Sequence, residues 1–474
     1  MRLNVEGTRS TDDPSGMRTM TKAELLLSRE DAQRRALKWL FLVATAWDLA
    51  IVAFAGPFAP PLEDAQKMLG LQDYLMRRFF AFESLFFHSL AVPFTAALVF
   101  ATLLLFRLPR RTERAVIVTS TAGFMLASIA MLYIVLVTED VWIYTMMVLG
   151  LGLCVASGLI MAIAYFPRSE EGSPMRLRGR SLVTLALWVS IVATLASVAL
   201  GVFASTGSTE WGAVASFEKF RLMVASHEHT VITVIDAAII VLVVKHYKAD
   251  GYKGVPGAFV KWGLYGMIVG VPTVTVSTFG TVPIGVEAHN AITIFATILL
   301  QAALFIMYAI MAVEWRRLRI GGMRGLAKNI MSYGMLFVIF WVNVVVTLPG
   351  IYVAVNLKRF VGLPNEVAFV TGHEHILITL TAIALLMLMA VAYDVKGRLG
   401  ALAGAALTSG YIVSTAATVL YMFYDWDPLG SAYVPYIDAG IVTTLVGVFL
   451  SLIGIARSKG VKAIELPLGM WSEA

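Results

Sequence analysis

Cysteine is nearly absent from this chain, which has 474 residues and a single thiol, that of Cys154. One cysteine excludes an intrachain disulfide and any metal cluster held by several thiolates. Charged residues are also scarce, at 14% of the chain, whereas soluble globular proteins contain about 25%. Together with a mean hydropathy of +0.78, these shortages are typical of a protein embedded in a lipid bilayer.

Apolar runs of about 20 residues recur along the whole sequence, and this is the length that crosses a bilayer as a helix. The runs lie at 37–56, 79–106, 115–137, 141–166, 181–205, 227–247, 258–281, 288–313, 330–356, 370–394, 400–423 and 434–456. The sequence therefore predicts an all-α integral membrane protein with about twelve transmembrane helices.

Basic residues gather in every second connection between the apolar runs, at 107–114, 167–180, 245–261, 314–328 and 396–398. The connections between these carry acids instead, as at Glu139, Asp140 and Glu287. Because cytoplasmic loops collect Lys and Arg, the alternation predicts an even number of spans with both termini in the cytoplasm. The same bias accounts for a pI near 9.2 without nucleic acid as a partner.

The membrane domain is expected at 37–457, between two cytoplasmic tails. Residues 1–36 are polar and of mixed charge, which suits a tail better than a secretory signal peptide. Residues 458–474 are expected to form the second tail. The loop charges predict a multi-pass protein of the cytoplasmic membrane.

Six of the seven histidines fall in the outer half of spans that run from outside to inside. On the second, sixth, eighth and tenth spans they are His88, His227, His229, His289, His373 and His375. The seventh, His246, ends the sixth span beside Lys245, and we expect it to be solvated. A single histidine near a helix end often makes only an interfacial or helix–helix contact. Six at one depth indicate a shared cofactor site, because ionisable groups within a membrane are costly and imidazole binds haem iron, copper and non-haem iron.

Two His-Glu-His motifs, at 227–229 and 373–375, constrain how such a site can be built. At roughly 100° per residue, the two histidines of one motif point about 200° apart on a helix. They can serve two cofactors on opposite faces of the helix, but they cannot bind one metal ion together. The spacing leaves open whether His227 or His229 faces a given site.

These features together resemble the catalytic subunit of the haem–copper oxidase superfamily. The likeness rests on the number and orientation of the spans and on the histidine in the second span. It rests also on Thr347-Leu348-Pro349-Gly350 in the ninth span and Gly372-His373-Glu374-His375 in the tenth. The resemblance implies two haems of the b type, one low-spin with His88 and His375 as axial ligands, and one high-spin with His373 as its ligand.

The resemblance also implies a non-haem iron or copper, bound by His227 or His229 together with His289. The chain departs from the family pattern here, because the seventh span has no adjacent histidine pair and His289 lies at the start of the eighth. Val231 and Thr233 stand where oxygen-reducing members carry a tyrosine on the sixth span.

Two glutamates, Glu228 and Glu287, stand next to the candidate metal ligands. Hard oxygen ligands favour non-haem iron over copper, and nitric oxide reductases of this superfamily use a glutamate in this way. The resemblance therefore implies a respiratory oxidoreductase that reduces a small gas, NO or O2, with NO slightly favoured. The sequence has no CxxCH motif for haem c and no cupredoxin segment, so a cytochrome c or cupredoxin-type subunit or quinol would donate the electrons.

Two other functions stay open at this point. A membrane cytochrome that binds haem but lacks the non-haem metal would account for the missing histidine pair. A transporter is the other alternative, since twelve spans are common among transporters and the two His-Glu-His motifs hint at an internal repeat. A transporter gives no reason for six histidines in one layer.

Overall fold

The structure is a computed structural model that describes residues 22–51, 74, 77, 83–167, 173–211, 217–280, 284, 286–356, 379, 381–424 and 431–461. Helices dominate these residues. The longer ones are α1 (Lys22–Ala50), α2 (Glu83–Leu105), α3 (Arg110–Leu136), α4 (Val141–Ala164), α5 (Leu182–Trp211), α6 (Phe217–His246), α7 (Gly254–Gly280) and α8 (Val286–Arg317). After the short helix Met323–Lys328 come α9 (Ile330–Trp341), a π-helix (Val342–Val346), α10 (Thr347–Val355), α11 (Thr381–Ala392), α12 (Gly397–Tyr424) and α13 (Val434–Arg457).

The only strands among the described residues are β1 (Arg176–Leu177) and β2 (Arg180–Ser181), which pair antiparallel between α4 and α5. Arg178 and Gly179 join them with φ angles of 50° and 81°. Two successive positive φ angles fit the tight hairpin turn whose twist matches that of the flanking strands. This ribbon is a loop feature, and the fold remains all-α.

Nine of the described helical segments are long and apolar enough to cross a membrane: Leu85–Leu105, Arg110–Leu136, Val141–Ala164, Leu182–Gly201, Gly254–Gly280, Asn290–Arg317, Ile330–Tyr352, Gly397–Tyr424 and Val434–Arg457. The prediction of an all-α, multi-pass membrane protein is confirmed at this level. Helix is also present in the other three predicted stretches, in α1, α6 and α11. The count of about twelve spans and the cytoplasmic position of both termini stay predictions.

The helices differ in how far their neighbours enclose them. On α4, 17% of the most apolar window is buried inside the bundle, against 67% on α2. Every residue of α6 from 234 to 244 is buried except Asp236, and every residue of α11 from 381 to 390 is buried. A helix that is apolar on all sides belongs in the interior of a bundle. The helices α2, α6 and α11 are therefore interior helices, and α4 lies at the periphery.

The first and last described helices meet at their cytoplasmic ends, as the charge pattern orients them. The ammonium group of Lys38, on α1, donates hydrogen bonds to the backbone carbonyls of Ala456 (3.1 Å) and Ser458 (2.9 Å) at the end of α13. A cation is favourable there because the last carbonyls of a helix carry partial negative charge. This contact ties the two ends of the sequence together.

The expectation that His246 is solvated is wrong. Its side chain is 6% exposed and packs edge-to-face against Tyr247, with ring centres 5.0 Å apart. The chain turns back after α6, so that Tyr247 and Tyr252 are buried as well. Glu314 and Arg317 on α8 form a bidentate ion pair close to the same tyrosines. A helix end rich in charge in the sequence is thus covered by its own loop and a neighbouring helix.

The orientation can be tested by labelling cysteines introduced at two exposed positions, Ile284 (59% exposed) and Met323 (79% exposed). In a Cys154→Ser background, a membrane-impermeant maleimide added to intact cells should label the Ile284→Cys variant but not Met323→Cys, because the charge pattern predicts that the basic connection lies in the cytoplasm. Both should be labelled once the membrane is permeabilised. The reverse result in intact cells would invert the topology and move the histidine layer to the cytoplasmic half.

Candidate functional site

Two of the predicted ligand histidines lie side by side where α2 meets α6. The ring centres of His88 and His227 are 6.3 Å apart and the ring planes differ by 13°. Both residues are in the first half of their helices, at the end that the charge pattern places outside. The structure therefore brings together a pair that the sequence assigned to two different cofactors.

The His227 ring fits against α5 because position 201 is a glycine. A Cβ atom at Gly201 would lie 2.8 Å from His227 Cε1 and 3.0 Å from Nε2. Carbon atoms in contact are normally about 3.5–4.0 Å apart, so even one methyl group would displace the ring. The close approach of α5 thus selects the position of His227.

The two nitrogens of His227 are in different surroundings. The Nε2 edge faces the α5 backbone, and the backbone of Ser197 forms a hydrogen bond with the ring. Nδ1 is buried and has no hydrogen-bond partner among the described residues. A neutral imidazole has one N–H donor and one lone pair. With Nε2–H directed at a carbonyl, Nδ1 carries the lone pair and is free to bind a ligand.

This arrangement is typical of a metal-bound histidine, which usually donates its other N–H to a carbonyl or carboxylate. Two imidazoles that bind one ion at about 2 Å each have ring centres about 6 Å apart. Ordinary aromatic pairs also span such distances, and the separation alone does not distinguish the two cases. Nδ1 of His227 is a buried nitrogen open to a ligand, and Nε2 of His246 is likewise buried without a partner among the described residues. The feature that sets His227 apart is the adjacent, nearly parallel ring of His88.

A chain of hydrogen bonds holds the turn of α2 that carries His88. Trp47 Nε1 on α1 donates to Ser128 Oγ on α3 (2.9 Å), and Ser128 Oγ donates to the carbonyl of Ser89 on α2 (2.8 Å). Both serines are fully buried. Three helices are thereby fixed to one another at the residue next to His88, which positions that ring.

The turn of α6 that carries His227 is held in a similar way. Thr230 lies three residues further along and its hydroxyl forms a short hydrogen bond with the hydroxyl of Thr278 on α7. Thr278 in turn donates to the carbonyl of Val274 (2.9 Å). Both threonines are buried, at 0% and 1% exposure. The position of His227 is thus set by α5 on one side and by α7 on another.

The other predicted site residues fall outside the part that can be described. Glu228 and His229 lie on α6, and Glu287 and His289 on α8, but their side chains lie outside the described residues. His373 and His375 lie outside them altogether. Among the described side chains, no group of three or more His, Cys, Asp or Glu is close enough to hold a metal ion. The ligand assignments of these residues stay predictions.

Sequence reasoning missed the pairing of His88 with His227 and the role of Gly201. Nothing in the spacing of two residues 139 positions apart indicates that they meet. The sequence around Gly201 does not indicate a close contact either, since glycine is common in membrane helices. The missing feature is tertiary: it is the packing of α5 and α2 against the same turn of α6.

Comparison of the chain with protein-family models, with curated proteins and with solved structures gives no match. The likeness to the haem–copper oxidase superfamily therefore rests on the sequence pattern alone.

Because the His227 ring packs directly against Gly201, we expect substitutions at positions 201 and 227 to have non-additive effects on the free energy of unfolding. Gly201→Ala should lower the free energy of unfolding by about 1–3 kcal/mol through overpacking. Gly152→Ala, in open space on α4, is the matched control. It should be neutral or stabilise by up to about 1 kcal/mol, since alanine favours helix.

The double variant Gly201→Ala/His227→Ala should lose less stability than the two single variants added together, because the added methyl group then has no ring to meet. Thermal unfolding in detergent measures all four proteins. Strict additivity of the two changes would contradict the contact.

Proposed function

We propose that this chain is a haem-binding respiratory oxidoreductase of the cytoplasmic membrane that reduces NO or O2. The observation that carries the proposal is the His88–His227 pair, which lies where two interior helices of a membrane bundle meet. In this pair, Nδ1 of His227 is buried and has no hydrogen-bond partner among the described residues. An imidazole that makes a hydrogen bond to the backbone with one nitrogen can bind a metal ion or haem iron with the other.

The cofactors proposed are two b-type haems and a non-haem iron or copper. His88 would bind the low-spin haem, and it has two candidate partners: His375 by resemblance and His227 by distance. His373 would bind the high-spin haem. The electron donor would be a cytochrome c or cupredoxin-type subunit or quinol. The haem iron supplies one-electron chemistry, while the residues around it position the rings and exclude water.

The position of His227 bears on which of His227 and His229 would bind the non-haem metal. His227 lies beside His88 and against α5, so it belongs to the side of α6 that faces α2. Backbone position 229 is about 200° further round the helix. We therefore assign the non-haem metal to His229 with His289, and Glu228 or Glu287 would supply an oxygen ligand. An oxygen ligand favours iron, and with iron the reduction of NO.

A second candidate function is favoured by the same pair. If His88 and His227 bind one haem between them, α2 and α6 alone form a complete two-histidine site. The chain would then be a membrane cytochrome that passes electrons and does not reduce a gas. Consumption of NO and O2 by the purified protein distinguishes the two functions, because only the reductase turns over.

The proposal predicts a haem signal that depends on the paired histidines. The reduced-minus-oxidised absorption spectrum of the purified protein should show b-type haem. His88→Ala should convert a six-coordinate signal to a five-coordinate one, and His227→Ala should change the same signal if the two rings share an ion.

The matched control is His246→Gln, which removes a buried histidine 19 residues from His227 on the same helix and should leave the spectrum unchanged. A wild-type protein without any haem band would contradict the proposed function. An unchanged spectrum in His88→Ala would contradict the assignment of that ligand.

A further inference from the structure

We propose that Asp236 is a proton-exchange site within the membrane, in a polar cluster formed by α6, the π-helix Val342–Val346 and α12. The inference does not depend on the proposed redox activity, since it concerns only where a proton binds.

Asp236 stands out from its own helix. It is the one charged residue between 230 and 244 of the sequence and the one residue from 234 to 244 that is not fully buried. It lies ten residues, about 15 Å, from the cytoplasmic end of α6. An acid at this depth in a membrane helix faces a functional interior far more often than lipid.

The first partner of Asp236 comes from the π-helix. Asn343 is 5% exposed, and its side-chain amide forms a hydrogen bond with the Asp236 carboxyl group. The same amide donates to the carbonyl of Ile339 (2.9 Å). A π-helical turn breaks the regular backbone bonding of a helix and is frequent at functional sites. Here it presents a polar side chain to α6 in the middle of an apolar span.

The second partner comes from α12. Tyr411 is fully buried, its hydroxyl has no hydrogen-bond partner among the described residues, and it lies close enough to interact electrostatically with Asp236. An unpaired hydroxyl inside a bundle is costly. Trp341 Nε1 donates to Thr415 Oγ1 (2.8 Å), one turn beyond Tyr411, which holds α9 and α12 together at this level.

Among the described residues, no positively charged side chain pairs with the Asp236 carboxylate. From the π-helix Asn343 interacts with Asp236, and from α12 Tyr411 does. The helices α2, α5, α7 and α8 also pack against α6, and no ion pair joins a described side chain on them to Asp236. A carboxylate without a counter-charge is costly in a membrane, whereas the amide donor of Asn343 stabilises it. The first effect favours the protonated carboxyl group of Asp236 and the second favours its carboxylate, so we expect both forms to be populated.

A proton suits this cluster better than a metal cation. Four side-chain oxygens at most converge here, two from the carboxyl group and one each from the amide and the phenol, and cations such as Ca²⁺ take six or more. The Asp236 residue also keeps some accessible surface, and a water molecule there would accept the proton. The carboxyl O–H bond breaks, the proton goes to water, and a proton from water restores the bond.

Infrared difference spectra taken between mildly acidic and mildly alkaline pH test the proposal in the whole, purified protein. A titrating C=O band of a protonated carboxyl group is expected in the wild type and should be lost in Asp236→Asn. Asp48→Asn, at another buried aspartate on α1 (3% exposed), is the matched control and should keep that band.

Tyr411→Phe removes only a hydroxyl without a partner, so it should fold. The Tyr411→Phe variant should shift the carboxyl band without abolishing it. It therefore tests the proposal even if Asp236→Asn does not fold. A wild type without a titrating band, a titrating signal that is undiminished in Asp236→Asn, or a band unmoved in Tyr411→Phe would overturn the proposal. A band that disappears on adding Na⁺ at fixed pH would also overturn it, in favour of a cation site.

Discussion

The hydrocarbon interior of a bilayer offers no water to polar groups, so each of them must find a partner inside the protein. Most hydroxyls in the described spans meet this requirement within their own helix. Thr95, Thr102, Ser190 and Thr275 each donate to the carbonyl four residues earlier, at 2.7–3.0 Å. Against this background, a buried group without a partner is informative. Ten buried side-chain atoms among the described residues have no partner. His227 Nδ1 and the Tyr411 hydroxyl are two of them, and each belongs to one of the sites proposed above.

Both sites are built on α6, which links them. His227 and Asp236 are nine residues apart, which is about 180° around the helix and about 13.5 Å along it. This register agrees with their neighbours, since His227 meets α2 and α5 while Asp236 meets the π-helix and α12. Backbone position 229 lies two turns from Asp236 on nearly the same face. In the proposed account, a single interior helix would present a ligand histidine to one side of the bundle and a proton site to the other, nearer the end that the charge pattern predicts to be cytoplasmic.

The sequence was sufficient for the features that depend on hydropathy and on helical periodicity. The all-α membrane fold and the positions of the apolar helices follow from run length and the scarcity of charge. It was insufficient where distant helices decide the outcome. His246 reads as solvated beside Lys245, yet the loop after α6 and the Glu314–Arg317 pair on α8 enclose it. The meeting of His88 with His227, the glycine at 201 and the π-helix at Asn343 are likewise products of packing. Asp236 is a lone acid in an apolar run of the sequence, but its partners lie on helices far along the chain.

The central claim is that the histidine layer holds iron, and the number of metal ions per chain tests it most directly. Elemental analysis of the purified protein should find at least two irons per chain, as the two haems require. A third iron would favour reduction of NO, and one copper would favour reduction of O2. One or two irons without a further metal would favour the electron-transferring cytochrome. A protein purified in folded form with neither iron nor copper would contradict the account, and the pairing of His88 with His227 would then be a packing contact.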